Sequence, residues 1–398
     1  MIFNTWTFAL FATVVVLAYW TIVPERFRRA YLVLSGSVFY AWSVPAYTVL
    51  IAGLGIVTYA IARAMLRLDD DARARTILLA VGVTAIVGLL AFFKYTHFIA
   101  QTIDDVARAN ILPLPHILVP LAISFFTFEF VHVLVDVYLR KITVLDPLDF
   151  AVFTMFFPTL VAGPIKRYQS FAPQLHRPPP RDPHLLALNL YRVVLGIAKK
   201  TIVADSMTPL AQAIVTPGGF DGRLDYWVGM LAYAAKIYFD FTGYSDVAIG
   251  AAGLLGLAIP ENFNRPYWAQ DIAAFWNRWH ISLSTWIRDY VFIPLGGSRR
   301  PPLIVLLNLF VAMALCGLWH GAAWTFVVWG LWHGAGLAAH RVWRFGAVPR
   351  LPALVRGGPF PRVFSTVLTF AFVVFGWVLF ATTSLTTARV VYAGLLLP

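Results

Sequence analysis

The chain has 398 residues, 60% of them hydrophobic and 13% charged, with a mean hydropathy of +0.73. Soluble domains carry roughly 25% charge, so the composition excludes a soluble globular protein and indicates an integral membrane protein. The net charge of +12 is explained mainly by Lys and Arg in cytoplasmic loops rather than by a nucleic-acid partner, and the single Cys316 excludes an intrachain disulfide or a cysteine-rich metal site.

Apolar runs approaching the length of a membrane helix recur from end to end, without the strict alternation of a barrel. Residues Ile2 to Val23 are apolar but lack a basic leader, so they are read as a first membrane helix and not as a signal peptide. Arg26, Arg28 and Arg29 then place its end in the cytoplasm and the N-terminus outside. Arg63, Arg67, Arg73 and Arg75 mark a second cytoplasmic loop. The chain between must go out and return with Pro45 near the turn, which predicts two legs short for a ~30 Å hydrocarbon core.

Thr76 to Ala100 run outward, Asp104, Asp105 and Arg108 form an outer loop, and His116 to Tyr138 return to Arg140 and Lys141. A short apolar segment, Phe150 to Ala162, is flanked by cations at both ends and is predicted to enter and leave on one side. A Pro-rich linker, Gln174 to His184, carries Arg177 and Arg181. Further helices are predicted at Leu185–Val203, Tyr226–Phe239 and Tyr244–Ala258. Glu261 to Arg300 is too polar to span and reads as amphipathic helices at the cytoplasmic face. Spans at Leu303–Leu318, Ala322–Trp343 and Val363–Ala381 follow, and the chain reaches Pro398 partway through what reads as one more.

The most informative residue is His320, in Leu318-Trp319-His320-Gly321, because an ionisable group at membrane depth is costly and marks function by default. A neutral imidazole there can take a proton from an alcohol; the competing reading is a histidine that glues helices together. Gly317 and Gly321 indicate close helix approach or a narrow channel, and His333 reads as packing or support. Upstream, Trp276-Asn277-Arg278-Trp279-His280 continues to Arg288 and, through Gly296-Gly297, to Arg299 and Arg300. On one helix Trp276, Trp279 and Leu283 share a face. Arg278, Arg288 and Arg299 suit the phosphates of a donor such as coenzyme A, or equally an interfacial helix with snorkelling arginines.

Asp240 and Asp246, with Tyr244 and Ser245 between them, sit between apolar runs. They are read either as groups that orient a histidine, bind a cation or bind substrate hydroxyls, or as a helix break with Asp246 as cap. Glu129, His132 and Asp136 fall on one helical face, which favours a structural polar network or part of an acceptor channel over a metal site. Cys316 reads as a small core residue. The chain has no P-loop, GxSxG elbow or HExxH helix.

These residues resemble the membrane-bound O-acyltransferase superfamily, in particular the bacterial branch that includes the alginate O-acetyltransferase membrane subunit. The D-alanyl transfer protein of teichoic acid modification is more distant. The resemblance rests on Phe39-Tyr40-Ala41-Trp42, Pro120 to Phe125, Ala162-Gly163-Pro164-Ile165, Tyr238 to Asp246, Glu261 to Tyr267, Phe275 to Gly297, and Gly317 to Ala322. The last two stretches are the most specific, and together the seven cover most of the chain in order.

The resemblance implies a single all-α membrane domain over 1–398. About 10–12 tilted or re-entrant helices would ring a thinned centre with a tunnel. His320 matches the family's catalytic histidine and His280 its second, on the cytoplasmic side. Acetyl-CoA is the implied donor, a cosubstrate rather than a bound cofactor, with no metal. Donor and acceptor contacts are expected from Asn277, Arg278, Trp279, Arg288, Arg299, Asp240, Tyr244, Ser245, Asp246 and Trp319. The implied setting is the bacterial cytoplasmic membrane. The implied partners are lipid and either an exported polysaccharide or a periplasmic SGNH-type acyltransferase. Relatives usually continue beyond Pro398. A lipid-linked glycan transporter and a non-catalytic subunit of an export complex are the competing readings; broken helices and intramembrane carboxylates fit the former, but inverted repeats are not evident.

Overall fold

The computed structural model describes residues 3, 5–42, 44–68, 71–109, 111–112, 117–161, 163–177, 182–216, 218–220, 222–347 and 359–397, with side chains from 362 onward in the last stretch. Ile2, His116, Ala162, Arg181 and Pro398, named above, lie outside the described residues.

Helices follow one another with no strand among the described residues. In order they are α1 (Trp6–Thr21), α2 (Arg28–Ala41), α3 (Pro45–Arg67), α4 (Ala72–Leu90), α5 (Thr96–Ala107), α6 (Ile123–Tyr138), α7 (Pro147–Met155), α8 (Tyr168–Phe171), α9 (Pro183–Ala198) and α10 (Asp205–Ala213). Then come α11 (Arg223–Leu254), α12 (Ile272–Trp276), α13 (Ile281–Ile287), α14 (Pro302–His320), α15 (Trp324–Val342), α16 (Pro359–Ala381) and α17 (Leu385–Leu396). Among the described residues four helical stretches are long and apolar enough to cross a membrane: Pro45–Arg67, Ala72–Ala107, Pro302–His320 and Arg362–Ala381. The protein is an all-α, polytopic membrane protein.

Local chemistry starts these helices. Asp71 accepts from Ala74 N, Asp146 from Leu148 N and Asp149 N, Asp271 from Ala274 N, and Ser384 from Thr387 N. Each fills a first-turn donor that would otherwise be orphaned. Pro45, Pro147 and Pro302 occupy first helical positions, where the missing N–H costs nothing.

The chain packs as two units, Met1–Ile197 with Tyr244–Pro260, and Ala198–Gly243 with Glu261–Pro398. In the first, α6 is almost wholly buried and carries the polar face anticipated from its spacing. Glu129 pairs with Lys166, whose ammonium also lies 4.5 Å from the Phe153 ring. Tyr168 N donates to His132 Nε2 at 3.2 Å, and Gln169 Nε2 to Asp136 Oδ2 at 2.9 Å. Arg75 Nη2 donates to the carbonyls of Val137 and Tyr138, closing the last turn of α6. These bonds make the Glu129, His132 and Asp136 face a packing network that holds 166–169 against α6.

In the second unit, α14 and α15 approach to backbone contact. A Cβ on Gly317 would stand 2.1 Å from the Phe326 carbonyl oxygen, and one on Gly330 2.2 Å from that of Met313. Only glycine permits that approach. Tyr267 ties α16 to α11: its hydroxyl donates to the Ala234 carbonyl at 2.9 Å and accepts from Trp377 Nε1 at 3.2 Å.

Four predicted elements differ from the structure. The out-and-back pair after Arg29 is not short in both legs: α3 runs 23 residues to Arg67, past Arg63, and only the 14-residue α2 is short. The outward helix extends through a π-turn, Ala91–Tyr95, into α5. The predicted break at Asp240–Asp246 does not exist, because α11 is continuous through it. Asp246 is therefore no cap; Arg192 Nε donates to it at 2.9 Å, and Lys200 reaches Asp240 at 3.1 Å. Paired charges remove the reason for a break. Finally, Trp276, Trp279 and Leu283 are not on one helix, since α12 ends at Trp276 and α13 begins at Ile281. All three are nevertheless buried. The predicted span at 322–343 forms as α15, but its glycines and histidines leave it outside the four apolar stretches.

Candidate active site

The second unit brings together the two histidines singled out from sequence. The ring centroids of His280 and His320 lie 6.2 Å apart. His320 is the last residue of α14, where the chain leaves helix through an extended Gly321. A positive charge developing on its ring would face the negative end of that helix. His320 is partly exposed, whereas His280 is 1% exposed.

His280 sits between α12 and α13 with φ +43°, a left-handed conformation uncommon for a residue with a Cβ. The surrounding backbone holds it there. Ile281 N donates to the Asn262 carbonyl at 2.9 Å, Ser282 Oγ to Asn262 Oδ1 at 2.6 Å, and Asn264 N to the Arg278 carbonyl at 2.9 Å. Asn262 is fully buried. Strain of this kind persists only where the neighbours over-determine it, and it clusters at functional sites. Asn262 was present only as part of a motif; no local signal marks it as the clamp of a residue 18 positions away.

Rings enclose the pair. Phe241 lies 4.6 Å from His280, Trp319 lies 5.8 Å from His280 and 4.9 Å from His320, and Trp329 and Phe380 lie 5.3 and 5.1 Å from His320. Trp329 also packs on His333 at 4.8 Å. Within this cluster both nitrogens of His280 and of His333, and the indole nitrogens of Trp276 and Trp329, are buried without a hydrogen-bond partner among the described residues. His280, outside the four apolar stretches, is held well below the usual histidine range by burial and then by the neighbouring His320. It is neutral at physiological pH, with one N–H donor and one acceptor.

A pocket of about 240 Å³ opens alongside, walled by Ile281, Ile287, Phe292, Leu309, Met313 and Cys316 among others. Asn277 and Arg288 line it too, with Ser284 and Thr285. Neither histidine forms its wall, although Ile281 follows His280 directly. Of the remaining expected contacts, Trp279 is a core residue packed on Phe263, Phe275 and Trp377. Arg278 Nη1 donates to the Trp268 carbonyl at 3.4 Å, and Arg299 lies exposed on a turn; neither lines the pocket. Asp240 belongs to the second unit. Tyr244, Ser245 and Asp246 belong to the first, where Tyr244 packs on Phe3 at 5.7 Å. No cluster of three or more metal-ligating side chains occurs among the described residues.

The model of the membrane-bound O-acyltransferase family matches residues 73–380, which include both histidines. The chain belongs to that family. It is similar to a probable alginate O-acetylase of Pseudomonas aeruginosa, 38% identical over 99% of this chain and 75% of the relative. A peptidoglycan O-acetyltransferase of Helicobacter pylori is 33% identical over 93% of this chain and 74% of its own. A teichoic acid D-alanyltransferase of Bacillus subtilis is 29% identical over 67% and 70%. The protein is a membrane O-acyltransferase, and its relatives in the O-acetyltransferase branch match almost its full length.

Proposed function

We propose that this acyltransferase moves an acetyl group from acetyl-CoA to a hydroxyl of an exported polysaccharide, directly or through a periplasmic SGNH-type partner that relays it. The observation that carries the reading is the His280–His320 pair: one imidazole half-open at a helix end, the other sealed and neutral 6.2 Å away. His320 takes the proton of the acceptor hydroxyl as its oxygen attacks the thioester carbonyl carbon. The C–S bond then breaks, and the proton passes to the departing thiolate. The His280 N–H, without another partner among the described residues, donates to the oxyanion in between. A preorganised donor of this kind lowers the barrier by ~2.7–4 kcal/mol.

The pocket beside Asn277 and Arg288 supports a donor arriving from the basic face, with the guanidinium near the coenzyme phosphates. Arg278, Arg299 and the carboxylate of Asp240 are secondary candidates for donor or acceptor contact. The bacterial cytoplasmic membrane is the setting that such a donor requires. The names of the alginate and peptidoglycan relatives support a polysaccharide acceptor. The test is coenzyme A release from acetyl-CoA by purified protein in lipid, with a longer-chain acyl-CoA in parallel. Release dependent on His320 supports the reading; a preference for the longer chain overturns acetyl as the group transferred.

A further inference from the structure

A second cavity, of about 460 Å³, opens in the first unit where α2 begins and the chain after α8 passes. Arg26, Arg28, Arg29, His176 and Arg177 line it, and Glu25 is the one carboxylate among its described lining residues. Arg29 and His176 are already engaged, both with Asp149, at 2.9 and 2.6 Å. Among the described lining residues, the cations of Arg26, Arg28 and Arg177 remain against the one carboxylate of Glu25.

Arg28 distinguishes this cavity from an ordinary basic surface. Its side chain is 8% exposed and lies between aromatic faces, 4.8 Å from the Tyr19 ring and 5.2 Å from that of Trp20. Its Nη1 reaches Glu25 at 3.5 Å, while its Nε is buried with no hydrogen-bond partner among the described residues. A buried guanidinium N–H left unmatched is costly, and a phosphate oxygen is the acceptor whose geometry and charge suit it. Arg26, by contrast, is exposed and rests over the Phe27 ring at 4.8 Å. The same stretch of chain exposes Leu17, Ile22 and Phe27 at 58, 76 and 52%. On α1 itself, whose Tyr19 lines the cavity, Leu10, Val14 and Leu17 are exposed at 68, 56 and 58%, so the neighbouring helix offers apolar surface that an amphiphile needs and a soluble phosphate does not.

We propose that this cavity binds the phosphate head of an anionic membrane phospholipid, with Arg28 as the buried donor, Arg26 and Arg177 as the rim, and the acyl chains along α1. Basic pockets between membrane helices recognise such headgroups. None of its residues takes part in the proposed transfer chemistry.

The experiment purifies the full chain from vesicles of phosphatidylcholine containing phosphatidylglycerol and measures retained lipid by mass spectrometry. Wild type is expected to retain phosphatidylglycerol over phosphatidylcholine. The double variant R26Q/R177Q, altered only at exposed rim positions, is expected to bind phosphatidylglycerol roughly 30-fold more weakly at low salt. Arg28→Lys keeps the charge and removes the Nε donor, and is expected to lose the preference in part. Inorganic phosphate or coenzyme A, added at concentrations that match the lipid phosphate, is expected to leave the lipid in place. Equal retention of the two lipids by wild type, unchanged retention by both variants, or displacement by either soluble phosphate overturns the proposal.

Discussion

Two buried clusters treat their polar groups in opposite ways: the α6 face in the first unit and the rings around His280 in the second. In the first unit, Glu129, His132, Asp136 and Asp149 each meet Lys166, Tyr168 N, Gln169 or Arg29 within hydrogen-bond reach. In the second, the nitrogens of His280, His333, Trp276 and Trp329 are equally buried and have no such partner among the described residues. Satisfied networks hold a fold, whereas an unsatisfied buried polar group costs stability and calls for an explanation. The face of α6 and the cluster around His280 both place histidines among aromatic rings, and they differ in what reaches those histidines.

The comparison breaks first at the buried ion pair. Lys166→Ala strands Glu129 and is expected to cost ~3–5 kcal/mol, read as a fall in the thermal midpoint in detergent, while K166M/E129L recovers most of it. Wild-type stability in Lys166→Ala would mean that the network holds nothing. His280→Ala is expected to do the reverse, with a near-native midpoint but a rate of transfer lower by about 10²–10³. A variant that unfolds without a specific loss of rate would make His280 a packing residue.

Asn262→Ala removes the clamp rather than the histidine. It is expected to cost ~1–3 kcal/mol by removing the Asn262 Oδ1 that accepts from Ser282 N and Oγ, and to lower kcat more than it raises KM, because His280 loses its position. A change in KM alone would argue against positioning. The smallest effect is on pH. Since the folded state holds His280 neutral below the usual range, its share of stability is complete above ~6.5 and is lost as pH falls below that value, with a slope of at most ~1.4 kcal/mol per unit. His280→Gln should flatten that limb of a midpoint-against-pH curve, and an unchanged slope would locate the titration elsewhere.

The class of the protein was legible in composition, and α14 and α16 in long, mainly apolar runs, because hydropathy needs no knowledge of distant contacts. His320 was legible because a charge-capable ring in an apolar run is improbable by chance, and His280 through the motif Trp276-Asn277-Arg278-Trp279-His280 that carries the family resemblance. The continuity of α11 was not: Asp240, Gly243 and Asp246 carry the local signature of a break, and what cancels it comes from Lys200 and from Arg192, the latter 54 residues from its partner. The bend at His280 was equally hidden, since apolar spacing through 276–283 imitates a helix while the backbone bonds to Asn262 and Asn264 turn it. Of the expected donor contacts, Asn277 and Arg288 line one pocket. Trp279 shows how an aromatic chosen for its chemistry can be core instead.

The most direct test of the central claim is acetyl transfer by purified protein in lipid, wild type against His320→Ala, with equal thermal midpoints as proof of folding. The account predicts that coenzyme A release falls by about 10²–10⁴ in the variant. Release at the wild-type rate from folded His320→Ala would contradict it.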